Sequence, residues 1–293
     1  MKRREMLKAT GAAVLGLSAF PAGWAAAQDE KADQKKPKIL YFTRSVGFEH
    51  SVVKRRGDKL SFSEQIMVDK GKEHGVEVEC TKDGRVFDGD LDQFECICFY
   101  SCGDLTKPSI DKAPPMTEGG FKKLLAAVAA GKPFVGLHSS CYTGAWPGAG
   151  KPNPFLTMLG GEFISHGAQQ KAAMKVVSPG FPGCEGLGES FEMLDEWYAM
   201  KNFGKDLHVI LVQETAGMKG PMYQRPPFPS TWARRHGKGR VFYTAMGHRE
   251  DVWTSKPFQQ VLTGGFSWAM GGAEADVAAN IDRVTPKASQ LKN

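Results

Sequence analysis

Two apolar stretches decide the fold, FECICFY at residues 94–100 and PFVGL at residues 133–137. Each is a short, continuous apolar run of the kind that predicts a buried strand. Gly120–Ala130 lies between them, is rich in Ala and Leu, and is followed by Gly131, which predicts a helix and its end. A strand, a helix and a second strand in this order are typical of a parallel sheet covered by helices.

The same pattern extends outward along the chain in both directions. The predicted strands are Ile39–Phe42, Val76–Cys80, Ala172–Val177, Leu207–Val212 and Arg240–Thr244, and the predicted helices are Ser61–His74 and Pro257–Met270. Gly217–Pro229 contains four prolines and two glycines, which predicts an irregular loop. We therefore predict one α/β domain with a mostly parallel central sheet and a loop-rich C-terminal half. Because right-handed crossovers bring the carboxyl ends of parallel strands to one rim, a ligand is expected there.

Composition and charge exclude several classes of protein. The 293 residues are 41% hydrophobic and 24% charged, values that exclude a disordered chain and a membrane bundle. The formal net charge is +6, but the first 27 residues contribute Lys2, Arg3, Arg4 and Lys8 against Glu5. The small remaining charge gives no electrostatic footprint for nucleic acid, so no nucleic-acid partner is expected.

The N-terminus has the order of segments found in an export signal. Basic residues 2–4 precede an apolar run at 12–22 and an Ala-Ala-Ala cleavage site at 25–27. The paired arginines favour the twin-arginine route, with residues 1–27 as the signal peptide and a periplasmic mature protein. The apolar run is too short and too glycine-rich for a spanning helix, although a retained anchor is the alternative. Residues 28–37 are predicted to be a charged linker, and the mature chain is expected to have no transmembrane span.

Six cysteines would enter an oxidising compartment on this route, which permits a disulfide. Cys96 and Cys98 alternate within the 94–100 strand, and the chain has no CxxC pair at zinc-finger spacing. We therefore interpret these two cysteines as small core side chains.

Four of the seven histidines occupy positions where a ligand would bind. His50 follows the first strand, His138 ends the 133–137 strand, and His248 follows the 240–244 strand. His166 lies in a loop after Gly160-Gly161. Histidine is a metal ligand and the commonest general acid or base near neutral pH. The alternative is that each one is a hydrogen-bonded cap of a strand end.

An acidic and aromatic segment, Asp195-Glu196-Trp197-Tyr198, is the second candidate. Adjacent side chains on an extended segment point in opposite directions, so one carboxylate is expected to face the cleft and the other to hold a loop. The aromatic rings can either stack on a sugar or pack in the core, and the same choice applies to Trp146 and Trp232.

Nucleophile and nucleotide motifs are weak. Residues 136–140 (GLHSS) resemble a nucleophile elbow in their strand-to-helix placement, but histidine stands at the turn and the Gly-x-Ser-x-Gly pattern is absent. The sequence has neither a Gly-x-Gly-x-x-Gly fingerprint nor a Walker A run, so no nucleotide cofactor is expected.

Six blocks occur in the order seen in the ThuA-like (trehalose utilisation) family, which residues 38–272 resemble, leaving 273–293 as a C-terminal tail. The blocks are GFEH at 47–50, YSCGDLT at 100–106, FVGLH at 134–138, GGEF at 160–163 with His166, DEWY at 195–198 and GKGRVFYTAMGH at 237–248. The resemblance implies a flavodoxin-like three-layer sandwich similar to class I glutamine amidotransferases. In those enzymes the elbow carries a cysteine nucleophile, whereas this chain has His138, which argues against amide hydrolysis.

The resemblance also implies carbohydrate metabolism, because family members are associated with sugar dehydrogenases that make 3-keto-glycosides. A 3-ketone acidifies the C2–H bond, so a base can remove that proton and the glycosidic oxygen can leave by β-elimination. On this hypothesis His138, His166 and His248 surround the sugar or one divalent metal ion, zinc or similar. His50, His138, Glu196 and His248 form the catalytic set, and the substrate-binding residues are Tyr100, Trp146, Trp197, Tyr198 and Trp232. The alternatives are a non-catalytic carbohydrate-binding protein and a hydrolase that uses Ser139 or Ser140.

Overall fold

The computed structural model describes residues 36–144 and 153–291. The predicted signal peptide (1–27), most of the predicted linker (28–37) and Trp146 lie outside the described residues. Within the described ranges, no helix combines the length and the apolar character that a membrane crossing needs.

The described elements alternate strands and helices through the first half and are mainly strands in the second. The strands are β1 (Lys38–Phe42), β2 (Glu77–Thr81), β3 (Cys96–Phe99), β4 (Phe134–Leu137), β5 (Glu162–His166), β6 (Gln170–Val176), β7 (Ser190–Asp195), β8 (Tyr198–Lys201), β9 (His208–Gln213), β10 (Phe228–His236) and β11 (Gly239–Thr244). The helices are α1 (Phe62–Glu73), α2 (Glu118–Ala130), α3 (Pro154–Leu159), α4 (Glu250–Trp253), α5 (Lys256–Ala269) and α6 (Ile281–Val284).

The central sheet has nine strands in the order β2-β1-β3-β4-β11-β10-β9-β6-β7. The first five are parallel to one another, whereas β10, β9, β6 and β7 each pair antiparallel with their neighbours. The predicted α/β class is therefore confirmed, but the sheet is mixed and the second half is less loop-rich than expected. The difference arises because β7 and β10, which were not predicted, carry exposed or charged residues that hide the strand pattern.

Both faces of the sheet are buried, which explains the continuous apolar runs of its parallel strands. Leu40 and Phe42 pack on one face with Leu124 of α2, and Ile39 and Tyr41 pack on the other with α5. Cys96 and Cys98 point to the same core as Ile39, so their interpretation as core side chains is confirmed. Helices on both faces leave the strand ends as the places where the chain can open a cleft.

The exit of β4 is a sharp turn. His138 has φ +40°, a left-handed conformation, and opens the 3-10 turn His138–Tyr142. Gly136 precedes it, where a Cβ atom would lie 2.7 Å from Leu159 Cδ1 and 2.8 Å from Ser140 Oγ. The turn therefore places the His138 side chain beyond the carboxyl end of the strand, in the position expected of an elbow residue.

The C-terminal segment, predicted to be a tail from residue 273, packs against the domain. The Asn280 side chain accepts from Val209 N at 2.7 Å and donates to Val209 O at 3.0 Å. Ile281 and Ala288 are buried against the same core face as α2. The described part of this segment is thus an integral edge of the fold.

Candidate active site

Four side chains converge at the carboxyl ends of the parallel strands. They are His50, His138, Glu196 and His248, and one nitrogen or oxygen atom of each lies within 4.8 Å of those of the other three. His50 follows β1, His138 is the turn residue after β4, His248 follows β11, and Glu196 follows the edge strand β7. We refer to these four residues as the histidine cluster.

The imidazole of His138 is held in one tautomer. Its Nδ1 lies 2.7 Å from Ala245 O, and because a carbonyl oxygen can only accept, Nδ1 must carry the proton. The other ring nitrogen, Nε2, lies 3.8 Å from Glu196 Oε2. The ring is fully buried and Nε2 has no hydrogen-bond partner among the described residues. A histidine fixed through one nitrogen with the other free is the usual arrangement of a metal-ligating imidazole.

His50 and His248 also each have a buried ring nitrogen without a described hydrogen-bond partner. His50 Nε2 lies 3.1 Å from the Tyr198 hydroxyl, and its Nδ1 is buried without a described partner. His248 Nδ1 lies 3.1 Å from Glu196 Oε2 but out of line for a hydrogen bond. Burial, reinforced by the neighbouring His138 and His248, lowers the pKa of His50 well below its usual value, so His50 is neutral at pH 7.

Glu196 is the one carboxylate in the cluster. Burial opposes its ionisation, but the nearby imidazoles of His138 and His248 outweigh this and hold the pKa of Glu196 well below its ordinary range. Oε2 faces the cluster, whereas Oε1 lies 3.2 Å from His166 Nδ1. An ionised carboxylate thus lies between the imidazoles of His138 and His248 on one side and a histidine at the surface on the other.

Asp195 is the carboxylate of the adjacent pair that holds a loop, whereas Glu196 faces the cluster. It is fully buried and points away from Glu196, with Oδ1 accepting from Glu196 N at 2.9 Å and Oδ2 from Gly247 N at 2.7 Å. Two N–H donors on two oxygens fit the ionised form, although burial raises the pKa of Asp195 above its usual value. One side chain thereby fixes the backbone beside both Glu196 and His248.

The other polar candidates lie around the cluster rather than in it. His166, predicted as a metal ligand, is 45% exposed, and it contacts the outer oxygen of Glu196. The group of four that could hold a metal ion contains His50 and Glu196 and does not contain His166, so a metal-binding role for His166 stays a prediction. Tyr100 is fully buried and donates to Gly247 O at 3.1 Å, and the Tyr198 ring packs 4.1 Å from that of His138. Both tyrosines therefore pack against residues of the cluster or beside them and help to fix their positions.

The two tryptophans that were predicted to bind substrate and that the structure describes are core residues. Trp197 is fully buried and its indole N–H donates to Gln170 O at 2.9 Å. Trp232 is fully buried and donates to Leu159 O at 2.8 Å. Because both rings are buried, neither has a face open to a ligand. The sequence did not reveal this, since residue type alone does not distinguish an aromatic ring that stacks on a ligand from one that packs in the core.

The donor set of the cluster fits a metal ion. Imidazole nitrogen and carboxylate oxygen are the ligands that Zn²⁺ and other first-row divalent ions take in catalytic sites. Three buried nitrogens without partners would each leave a polar group unsatisfied, and a cation would satisfy all three. The group can therefore hold a metal ion.

Comparison with known proteins assigns the family. The family model for ThuA, described as trehalose utilisation, matches residues 38–269. The chain belongs to the ThuA family. The predicted resemblance is thus confirmed, and family membership suggests a carbohydrate-related role. No curated protein matches the chain.

Solved structures share this fold at low sequence identity. A ThuA-like protein from Bacteroides uniformis is 18% identical with a TM-score of 0.59, over 82% of this chain and 94% of that one. A ThuA-like protein from Parabacteroides merdae is 19% identical with a TM-score of 0.57, over 83% and 92% of the two chains. A β-galactosidase from Bacillus circulans is 14% identical with a TM-score of 0.51, and the match spans 32% of its length. At these identities the likeness shows the fold alone.

Proposed function

We propose that this ThuA-family protein is an enzyme that cleaves glycosides oxidised at C3, by proton abstraction at C2 followed by β-elimination. The observation that carries the proposal is the histidine cluster, in which His50, His138 and His248 each have a buried ring nitrogen without a described partner and converge with the carboxylate of Glu196. Perturbed, converging titratable groups at the ligand-binding rim of an α/β sheet are typical of acid–base catalysis. The family's link to sugar metabolism supports the choice of substrate.

The residues divide into holding and proton-transferring groups. His50, His138 and His248 would hold a divalent metal ion, each through one ring nitrogen. Such an ion, when bound, supplies Lewis-acid stabilisation of negative charge on the sugar oxygen. Glu196, ionised and facing the cluster, receives the C2 proton. The C2–H electron pair then forms the C1–C2 double bond as the C1–O bond breaks, and His166, at 3.2 Å from the outer oxygen of Glu196, gives a proton to the departing oxygen.

A nucleophilic hydrolase is less well supported by the residues of the elbow. Burial raises the pKa of the Cys141 thiol to about 12, so it carries no thiolate at neutral pH. Ser139 and Ser140 are buried, and neither hydroxyl has a hydrogen-bonding base among the described residues. An activated serine needs such a base within hydrogen-bond reach.

The proposal includes two finer statements about the chain. We propose a topology of the class I glutamine amidotransferase kind, supported by the five parallel strands, the helices on both faces and the left-handed turn at His138. We also propose export by the twin-arginine route to the periplasm, supported by Lys2-Arg3-Arg4 and the Ala-Ala-Ala site at 25–27.

Metal analysis tests the cluster. We expect a stoichiometric divalent ion in the wild-type protein, a loss of it in the His138→Ala and His248→Ala variants, and no loss in His236→Ala. His236 is a matched control, because it lies at the β10–β11 turn, at the other end of β11 from His248. Equal metal content in wild type and folded His138→Ala would contradict the ligand assignment.

Turnover tests the reaction. The wild-type protein, loaded with the ion found, is expected to release the aglycone from a 3-keto-glucoside and to leave the unoxidised glucoside intact. Glu196→Gln is expected to lose about 100-fold or more in kcat, the scale of a removed general base. Binding of the keto-sugar without release would instead establish a carbohydrate-binding protein.

A further inference from the structure

Two partly exposed aromatic side chains, Phe48 and Tyr142, lie near the histidine cluster, and the proposed mechanism makes no use of them. We refer to these two residues as the aromatic rim. Phe48 is 55% exposed, and its ring meets His50 edge to face with centroids 4.8 Å apart. A single exposed apolar side chain needs no explanation, but an exposed ring in contact with a buried polar cluster is a feature of ligand sites.

A second set of rings runs from the surface to the same cluster. Tyr142 is 36% exposed and lies edge to face with Phe163, at 5.3 Å between centroids. Phe163 in turn contacts Tyr198 at 4.5 Å, and Tyr198 packs 4.1 Å from His138. Phe48 and Tyr142 thus open two exposed aromatic surfaces, each connected by ring contacts to a different histidine of the cluster.

The surface beside the histidine cluster also has hydrogen-bonding groups. His166 is 45% exposed and touches Glu196, whose side chain is 11% exposed. A ligand that stacks on an exposed ring and bonds to the polar groups beside it has a flat apolar face and a hydroxyl-bearing edge. A pyranose ring has this character, since its axial C–H groups line its faces and its hydroxyls project around its edge.

Resting on the proposed function, we infer that Phe48 and Tyr142 are the platforms for the pyranose ring of the substrate. Stacking on these rings holds the sugar beside the histidine cluster, with its C2 and C3 toward Glu196 and the three imidazoles. The rim takes the part that Trp197 and Trp232 were predicted to play. It binds the sugar and leaves the proton transfers to the cluster.

Steady-state kinetics on methyl 3-keto-glucoside tests the rim. Phe48→Ala and Tyr142→Ala are each expected to raise KM about tenfold, the effect of a lost aromatic contact, with kcat and metal content unchanged. Phe48→Trp should restore the wild-type KM, because it returns a flat ring. Leu60→Ala is the matched control, since Leu60 is 38% exposed and follows the 51–53 turn outside the rim. A KM that stays at the wild-type value in both alanine variants overturns the inference.

Calorimetry separates failure of the rim from failure of the proposed function. If the wild-type protein releases no aglycone but binds methyl 3-keto-glucoside, and Phe48→Ala weakens that binding about tenfold, the rim stands and the elimination reaction is wrong. If turnover occurs and the variants do not change KM, the reaction stands and the rim is wrong. The absence of both turnover and binding in the metal-loaded wild type contradicts the rim as well.

Discussion

Replacing Asp195 with Asn should disturb the histidine cluster without touching it. The two oxygens of Asp195 accept from Glu196 N at 2.9 Å and from Gly247 N at 2.7 Å, and so tie together the segments that carry Glu196 and His248. Asparagine has nearly the same shape but only one acceptor oxygen. Whichever oxygen remains, the new NH₂ group faces a backbone N–H that was previously bonded.

The magnitude follows from these contacts. A hydrogen bond to a charged acceptor contributes about 1.5–3 kcal/mol, and the variant loses one such bond and weakens the other. The buried wild-type carboxylate also has a desolvation cost, which is the cause of its raised pKa and which the variant avoids. The net loss of unfolding free energy is therefore about 2 kcal/mol, or about 4–8 °C in Tm for a domain of this size. Loosening both segments should also weaken metal binding about 10- to 100-fold, as loss of an orienting hydrogen bond does.

The assay compares Asp195→Asn with Asp92→Asn, whose carboxylate is 95% exposed. Urea unfolding should show the loss in the first variant and little change in the second. Competition with a chelator should show weaker metal binding in Asp195→Asn alone, and Asp195→Glu is not expected to rescue it because the longer side chain cannot reach both N–H groups without strain. An Asp195→Asn protein that is less stable but binds metal with wild-type affinity would refute the positioning role.

Three further predictions concern stability and the thiols. Glu64 is fully buried and accepts two bonds from Arg55, at 2.7 and 2.9 Å, so Glu64→Gln should cost about 3 kcal/mol at pH 7 in urea unfolding. Burial opposes ionisation of Glu64, but the hydrogen bonds from Arg55 outweigh it and lower the pKa of this carboxyl. Its stabilisation is therefore fully present above the unfolded pKa of about 4.3 and is lost as the pH falls through the lower folded pKa. The difference in unfolding free energy between variant and wild type should narrow as the pH falls below about 4, and a constant difference would contradict this. Gly264→Ala places a Cβ atom 1.9 Å from Pro182 O and should lower the free energy of unfolding by about 3 kcal/mol. In Gly119→Ala the new Cβ meets no atom closer than 3.6 Å, so this variant should be neutral or stabilising. Equal urea midpoints for the two variants would show that the α5 backbone can shift. All six cysteines are free, and burial raises the pKa of their thiols, so iodoacetamide at pH 8 should label the native protein far more slowly than the urea-unfolded protein; equal rates would show that the thiols are accessible.

The parallel half of the sheet could be predicted because its strands are buried on both faces. Such strands are continuous apolar runs, and β1, β3 and β4 were found from the sequence within one or two residues of their ends. Among the antiparallel strands, β6 and β9 were found within two residues of their ends, but β7 and β10 were not found. Arg234 belongs to a basic run typical of a solvated turn, yet it lies on β10 with 9% exposure, because its two terminal nitrogens donate to Asp206 and to the carbonyl groups of Thr157 and Met158.

The positions of the histidines after the predicted strands indicated that they lie at one edge of the sheet, but not which role each one has. His50, His138 and His248 each follow a parallel strand, so topology alone brings them together. The position of His166 depends on a local irregularity, since β5 shifts register against β8 between Phe163 and Ser165, and His166 comes to lie opposite Tyr198. A register shift of this kind reverses which face a side chain takes, and the sequence does not reveal it.

The backbone at His138 gives independent support for a functional cluster. Its φ of +40° lies in the region where a residue other than glycine costs about 1–3 kcal/mol, and glycine would adopt it without strain. Ala245 O fixes the tautomer of the ring, Tyr243 donates to His138 O at 2.8 Å, and the freed Nε2 still has no partner in the described structure. These contacts hold an imidazole in a strained place and leave one buried nitrogen unsatisfied, so they make the fold less stable than it could be. Such a conflict between local preference and global fold is expected where a side chain is needed for chemistry rather than for folding.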